Sequence, residues 1–211
     1  MGNETVRVWD IAVRVFHWSL VASFAIAYLT GEEDSPLHIY SGYAVLGLVL
    51  FRVVWGFVGT RYARFSDFLH GPSSVVSYLK GLVSGNPRRF IGHTPAGGWM
   101  ILLLLASLAA TSLTGLKVYG LEGQGPLAGE PGIVPVATAH ADEDGTYGRE
   151  EHDDEDDAEN ESAEELWEEL HEFLANFTLL LIFVHVAAVV ITGRLHKENL
   201  VKAMVSGQKK A

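Results

Sequence analysis

Four apolar runs, at about residues 12–30, 38–58, 98–116 and 172–192, constrain this chain more than any other feature. Each is close to the ~20 residues that a helix needs to cross the ~30 Å hydrocarbon layer of a bilayer. Together they carry one charge deep inside, Arg52. A soluble core helix shows polar side chains at every third or fourth place, and these runs do not. The expected fold is therefore all-α, a membrane protein built as a four-transmembrane-helix bundle in a single domain covering residues 1–211.

The remaining composition narrows the chemistry. There is no cysteine, which excludes disulfides, iron–sulfur clusters and covalent c-type haem, so any iron is held by histidine or methionine. The net charge of −11 is uneven, because 18 of the 26 acidic residues lie between Lys117 and Leu170. A loop at about 120–162, rich first in Gly and Pro and then in Asp and Glu, has too little apolar surface to fold independently and is read as mobile. Nucleic acid is excluded as an expected partner of so acidic a chain. Counting Arg14 at the inner edge of the first run, 12 Lys and Arg fall on the side of the two termini and 2 on the other. The positive-inside rule then places both termini in the cytoplasm and the acidic loop outside. Glu4 and Asp10 stand where a signal peptide would be basic, so the first span is read as a retained anchor.

Of nine histidines, four sit in or at the edge of the spans. His171 and His185 are 14 residues apart. That is close to four helical turns, so both imidazoles leave one face of one helix, roughly 21 Å apart along its axis. With the termini inside, His17 and His185 lie at the inner level, and His38 and His171 at the outer. Each pair offers two imidazoles from different helices at one depth, as a six-coordinate iron porphyrin between helices requires. An ionisable group in lipid is costly unless partnered, and iron coordination removes that cost for the nitrogen it uses. His17, His38, His171 and His185 are thus assigned as ligands of two b haems. A di-iron site would need Glu and Glu-x-x-His on facing helices, and zinc would need three or four ligands at one level. The spans hold neither pattern.

Gly42 lies one turn below His38, where the missing side chain leaves room for a flat macrocycle or for close packing of another helix. Arg52 stops well short of the end of its span, and its guanidinium suits bidentate pairing with a propionate of the inner haem. Arg14 is read as a second propionate partner or as an interface anchor. His93 is a loop residue in reach of a propionate or a quinone, and His70 and His196 are surface residues. Trp9 is an interfacial aromatic, and the third span, with no histidine, is a packing helix. Val75, Val76, Tyr78, Leu79, Leu82 and Val83 form one apolar face of a short helix in the membrane interface. Ser162 and Glu165 form a capping box that starts the fourth helix. His140 and His152, among Asp142, Asp144, Asp153 and Asp154, suit a divalent cation, a solvated charge run, or attraction of a basic electron carrier.

Several of these pieces together form a family pattern. Trp9-Asp10, Arg14, His17-Trp18, and His38-x-x-x-Gly42 with Arg52 and Trp55 resemble the bacterial cytochrome b561 / nickel-hydrogenase b-type cytochrome family. So do Gly92-His93-Thr-Pro-Ala-Gly-Gly-Trp, the pair His171 and His185, and the tail His196-Lys-Glu-Asn-Leu-Val-Lys-Ala-Met-Val-Ser-Gly-Gln-Lys. The likeness covers almost the whole chain except the loop around 121–160. It implies a four-helix cytochrome of the bacterial inner membrane with two non-covalent, bis-His b haems on the four histidines already chosen. It also implies respiratory-type electron exchange with membrane quinone. Expected partners are membrane lipid, quinone or quinol, and a soluble or peripheral electron-transfer protein; a homodimer stays open, as does action as a quinone oxidoreductase. The alternatives are a membrane-anchor cytochrome b subunit of a larger enzyme such as a nickel hydrogenase, and a non-haem metal-binding membrane scaffold.

The charge asymmetry makes a topological prediction. A fluorescent protein fused to the C-terminus should fluoresce in bacteria, and alkaline phosphatase fused there should be inactive; the reverse pattern would invert the topology.

Overall fold

The computed structural model describes residues 5–31, 35–86, 88–128 and 149–210, over 149–161 and at 210 by backbone alone. In chain order its elements are β1 (Thr5–Arg7), α1 (Ile11–Leu29), α2 (Pro36–Val58), α3 (Phe65–Phe68), α4 (Pro72–Val83), α5 (Pro95–Leu121), α6 (Arg149–Leu195), α7 (Leu200–Ser206) and β2 (Gln208–Lys210). Helices α1, α2, α5 and the Ser162–Leu195 part of α6 are long and apolar enough to cross a membrane. The chain divides into two compact units, Met1–Ser112 with Leu174–Ala211, and Leu113–Phe173.

Polar residues at the helix ends set the boundaries in the first unit. Asp10 caps α1 by accepting from the Val13 N–H at 2.8 Å. The same carboxylate accepts from Trp55 Nε1 at 3.2 Å and from the Thr60 hydroxyl, tying the start of α1 to the end of α2. Ser35 caps α2 with Pro36 in its first turn, where a missing N–H costs nothing. Past α2 the chain turns back so that Phe65, on α3, lies against Gly56. A Cβ at Gly56 would fall 2.1 Å from that ring, so only glycine admits it.

The core of this unit is small, as expected where lipid covers the outer faces. Phe16, Val45, Val49, Leu105 and Leu108 join α1, α2 and α5. Hydroxyls join the rest: Ser107 and Thr178 bond α5 to α6 at 2.5 Å, and Tyr28 donates to Asn176 Oδ1 at 2.7 Å between α1 and α6. The two ends of the chain meet in an antiparallel ribbon, Thr5 opposite Lys210 and Arg7 opposite Gln208. Glu198 fastens it, pairing with Arg89 at 2.7 Å and Lys209 at 3.3 Å.

One sequence expectation needs correction. The fourth long helix starts at Arg149, so Ser162 and Glu165 lie inside it and not at its cap. The run before Ser162 holds Glu and Ala, good helix formers, and its carboxylates complement the positive N-terminal end of a helix. The acidic loop is therefore helical over 149–162, while its part at 129–148, with His140, Asp142 and Asp144, lies outside the described residues, as do the side chains of His152, Asp153 and Asp154. Helix α4 keeps its apolar residues in one continuous arc, with one edge turned to the protein and the other exposed. Tyr78 is buried against Phe90 with Val75 and Leu82 half-buried beside it, whereas Val76, Leu79 and Val83 are exposed.

Burial alone would raise the Asp10 carboxyl, but hydrogen bonds from Thr60, Val13, Trp55 and Ala12 outweigh it and hold the group below its ordinary range. Burial also opposes ionisation of Glu198, and the bonds and charges of Arg89 and Lys209 again win. Both carboxyls are thus more acidic folded than unfolded. Their stabilisation is complete above the ordinary carboxylate range and is lost as pH falls below about 4. The melting temperature in detergent should drop on acidification through that range, and less steeply in Asp10→Asn. A melting temperature flat between about pH 6 and 3 would contradict this.

Candidate functional site

At the end of the first unit where the termini meet, His17, Arg52, His93 and His185 come together. His17 on α1 and His185 on α6 are near enough to feel each other's charge, and His93 feels Arg52, Lys209 and His185. Arg52 is 3% exposed. Its Nη2 donates to the Ala63 carbonyl at 3.1 Å, and its Cζ lies 5.2 Å from the Phe65 ring centre and 5.8 Å from that of Phe68. Among the described residues its Nη1 has no hydrogen-bond partner. The ion pairs among the described residues use Arg61, Arg89 and Lys209, so Arg52 makes none, and Asp10 is the carboxylate that acts on it from further away. A buried charge left without a counter-charge costs several kcal/mol.

His93 is held between Trp9 and Phe68, with ring centres 4.4 and 4.6 Å away. Its Nδ1 is buried and unpartnered, as are His17 Nδ1 and Arg14 Nε. Burial first, then the charges of Arg52, Lys209 and His185, push the His93 imidazole down to about 3, so it is neutral at ordinary pH. Arg14 Nη1 donates to the Val205 carbonyl at 2.7 Å. This end of the molecule thus carries four buried nitrogens, Arg14 Nε, His17 Nδ1, Arg52 Nη1 and His93 Nδ1, without a partner among the described residues, two of them on guanidinium cations. Such a set fits haem, with imidazoles for iron and cationic and imidazole N–H groups for propionates.

Gly42 leaves room as well. A Cβ there, or at Gly47, would meet no protein atom within 4 Å. Among the described residues no helix packs on Gly42, so the space beside it is open to a macrocycle or to lipid.

His38 also belongs to the first unit. Its Nδ1 lies 2.9 Å from the Ala27 carbonyl; a carbonyl only accepts, so Nδ1 carries the proton and Nε2 the lone pair. Histidine ligands of metals are commonly oriented in this way. In the second unit, His171 Nδ1 is 3.2 Å from Thr114 Oγ1, and the ring lies on Gly115, where a Cβ would come within 2.7 Å of it. Helix α5 therefore does more than pack. It supplies the hydroxyl and the gap that seat His171, and a Thr-Gly pair in an apolar run is the faint signal that could have revealed them.

Other assignments shift. Trp9 is 8% exposed and packs at a tilt on His93, so it is a wall of the site and not an exposed interfacial aromatic. His196, read as a surface residue, has a buried Nε2. His70 is half-buried and bonds the Phe68 carbonyl at 2.8 Å. In the second unit, carboxylate oxygens of Glu122, Glu164 and Glu168 lie within 4.8 Å of one another at partly or fully exposed positions, where acidic groups often gather without a cation.

A family model described as prokaryotic cytochrome b561 matches residues 8–207. Relatives named as probable Ni/Fe-hydrogenase B-type cytochrome subunits, from Rhizobium leguminosarum bv. viciae, Azotobacter vinelandii and Bradyrhizobium diazoefficiens, are each 26% identical to this chain. The alignments cover 58%, 59% and 59% of this chain and 63%, 65% and 62% of those proteins, so the chain spans just under two thirds of their length. No solved structure matches.

The environment of His93 is open to direct test. Imidazole C2 hydrogen–deuterium exchange, followed by mass spectrometry on the metal-free protein, should show His93 unprotonated down to about pH 4. A midpoint near the ordinary histidine value would mean that its stack is open to water.

Proposed function

The chain belongs to the prokaryotic cytochrome b561 family, and from that premise we propose that it is a dihaem cytochrome carrying electrons across the bacterial inner membrane between a soluble or peripheral redox protein and quinone. The family is one of b-type cytochromes, which implies haem b, and the four apolar helices agree with a multi-pass membrane protein. The number of haems, their ligands and the two electron partners are the proposal.

The inner haem is assigned to His17 and His185, with Arg52 and Arg14 toward its propionates, His93 beside them and Gly42 giving room along α2. The observation that carries this is the buried Arg52 guanidinium, which has a nitrogen without a partner among the described residues and acts on His93, itself within reach of the His185 charge that also acts on His17. The outer haem is assigned to His38 and His171, a pairing that rests on their matched depth along the sequence and is supported by the hydrogen bond each makes at Nδ1. Haem iron, when bound, supplies one-electron exchange. The chain's own residues bind and orient: imidazoles present a lone pair, Arg52 offers the counter-charge, and Trp9 and Phe68 keep water from His93. In this arrangement both termini are cytoplasmic, as the distribution of Lys and Arg supports.

A second reading is a membrane-anchor cytochrome subunit of a hydrogenase, favoured by the names of the relatives. The two differ in partner and not in site. Copurification of a large iron–sulfur protein would select the second, and reduction of the purified chain by quinol alone would select the first.

A pyridine haemochrome assay should give two b haems per chain. His185→Ala should lose one and retain the other, as should Gly115→Val, which puts a branched side chain where the His171 ring lies. Two intact haems in His185→Ala would overturn the ligand assignment, and a colourless wild-type protein would overturn the function.

A further inference from the structure

We propose that the C-terminal segment Leu200–Lys210 is a positioning clamp for the inner ligand set, with Gly207 as its fulcrum. The inference rests on the reading of His17 and His185 as a haem site.

The segment grips the site residues through successive backbone groups. The Gly207 carbonyl accepts from the Val8 and Trp9 amides at 2.9 and 3.2 Å, and the Val205 carbonyl accepts from Arg14 Nη1 at 2.7 Å. Ala203 packs into a small core with Val8 and Trp9. Further on, Lys209 is 9% exposed; its Nζ reaches the Phe90 carbonyl and the Glu198 carboxylate, each at 3.3 Å. Phe90 lies three residues before His93 in sequence, so the tail also holds the strip that carries His93.

Gly207 admits this grip for two reasons. Its φ is +81°, in the left-handed region that costs other L-residues roughly 1–2 kcal/mol. A Cβ there would also stand 2.6 Å from the Trp9 carbonyl oxygen and 3.4 Å from Arg14 Nη1. The first constraint admits asparagine at modest cost; the second admits no side chain.

The consequence falls on Arg14. It is three residues before His17 on α1, and therefore beside it on one helix face. With Nη1 pinned by the tail, the guanidinium is a fixed cation with Nε turned away from solvent and unpartnered. A fixed positive charge near a redox group favours the form that holds the extra electron. Trp9, held by Gly207, is the wall against which His93 packs at 4.4 Å. A staple that merely joined the termini would leave the potential of the site unchanged, whereas a positioning clamp sets it.

The test uses the full-length chain with haem, and a haem-free sample for comparison. Gly207→Ala and Gly207→Asn should each lower the midpoint potential of one haem and leave the other in place. In the haem-free protein both should expose Lys209 to trypsin. Asparagine should behave like alanine, because contact with Trp9 decides and not φ alone. Arg14→Gln should lower the same midpoint, and Gly207→Ala added to Arg14→Gln should shift it less than it does in the native background. Two bound haems with unchanged midpoints in the Gly207 variants, or in Arg14→Gln, would overturn the clamp while leaving the proposed function standing. If the Gly207 variants fail to fold, Arg14→Gln alone decides, by the presence or absence of its shift. Fewer than two haems in the wild-type chain would remove the reading beneath, and the clamp with it.

Discussion

A charge placed among apolar helices needs an opposite charge, and Arg52, which makes no ion pair among the described residues, has that need met only at a distance by Asp10. The protein supplies one carbonyl, from Ala63, and the faces of Phe65 and Phe68. Cation–π contacts offer about 0.5–2 kcal/mol each, less than the several kcal/mol that an uncompensated buried ion costs. Asp10 acts on Arg52 only from a distance, its oxygens bonded to Val13, Trp55 and Thr60. In the proposed function a haem propionate would add the second negative charge. Nearby, Gly56 admits Phe65 beneath Arg52, and Trp9 and Phe68 enclose His93.

The imidazoles extend the same logic with a difference between the two levels. His38 and His171 each engage a protein oxygen at Nδ1, whereas His17 Nδ1 has none. A hydrogen bond accepted from a ligand histidine raises its basicity and fixes its ring. His38 and His171 are thus each oriented by a hydrogen bond, whereas the surroundings of His17 are set by nearby charged groups and the elements that hold them.

Much of this was legible because lipid imposes a simple code. A run that must bury its backbone groups in hydrocarbon is a helix of fixed length, so four spans could be read from sequence within a few residues. The histidines stood out because a titratable group in such a run is costly. Where the code is absent, reading failed. Ser162 has the form of a cap, yet helix propensity in the Glu- and Ala-containing run before it carries the helix back to Arg149. Thr114 and Gly115 have no periodic signature, since their meaning depends on His171, which lies 56 residues beyond Gly115 in sequence. Trp9 looked interfacial because its buried side is made by residues from distant parts of the chain, Ala203 and His93. The ribbon of β1 and β2 is a pairing of three-residue strands, too short for any alternation to show.

The central claim is that two irons sit in this chain, each between two imidazoles, one pair anchored beside Arg52. Low-temperature electron paramagnetic resonance with near-infrared magnetic circular dichroism on the oxidised, purified protein tests it most directly. Two low-spin signals per chain, both with bis-imidazole charge-transfer bands, are the expected result. A single signal, a high-spin iron, or a band of histidine–methionine type would contradict it.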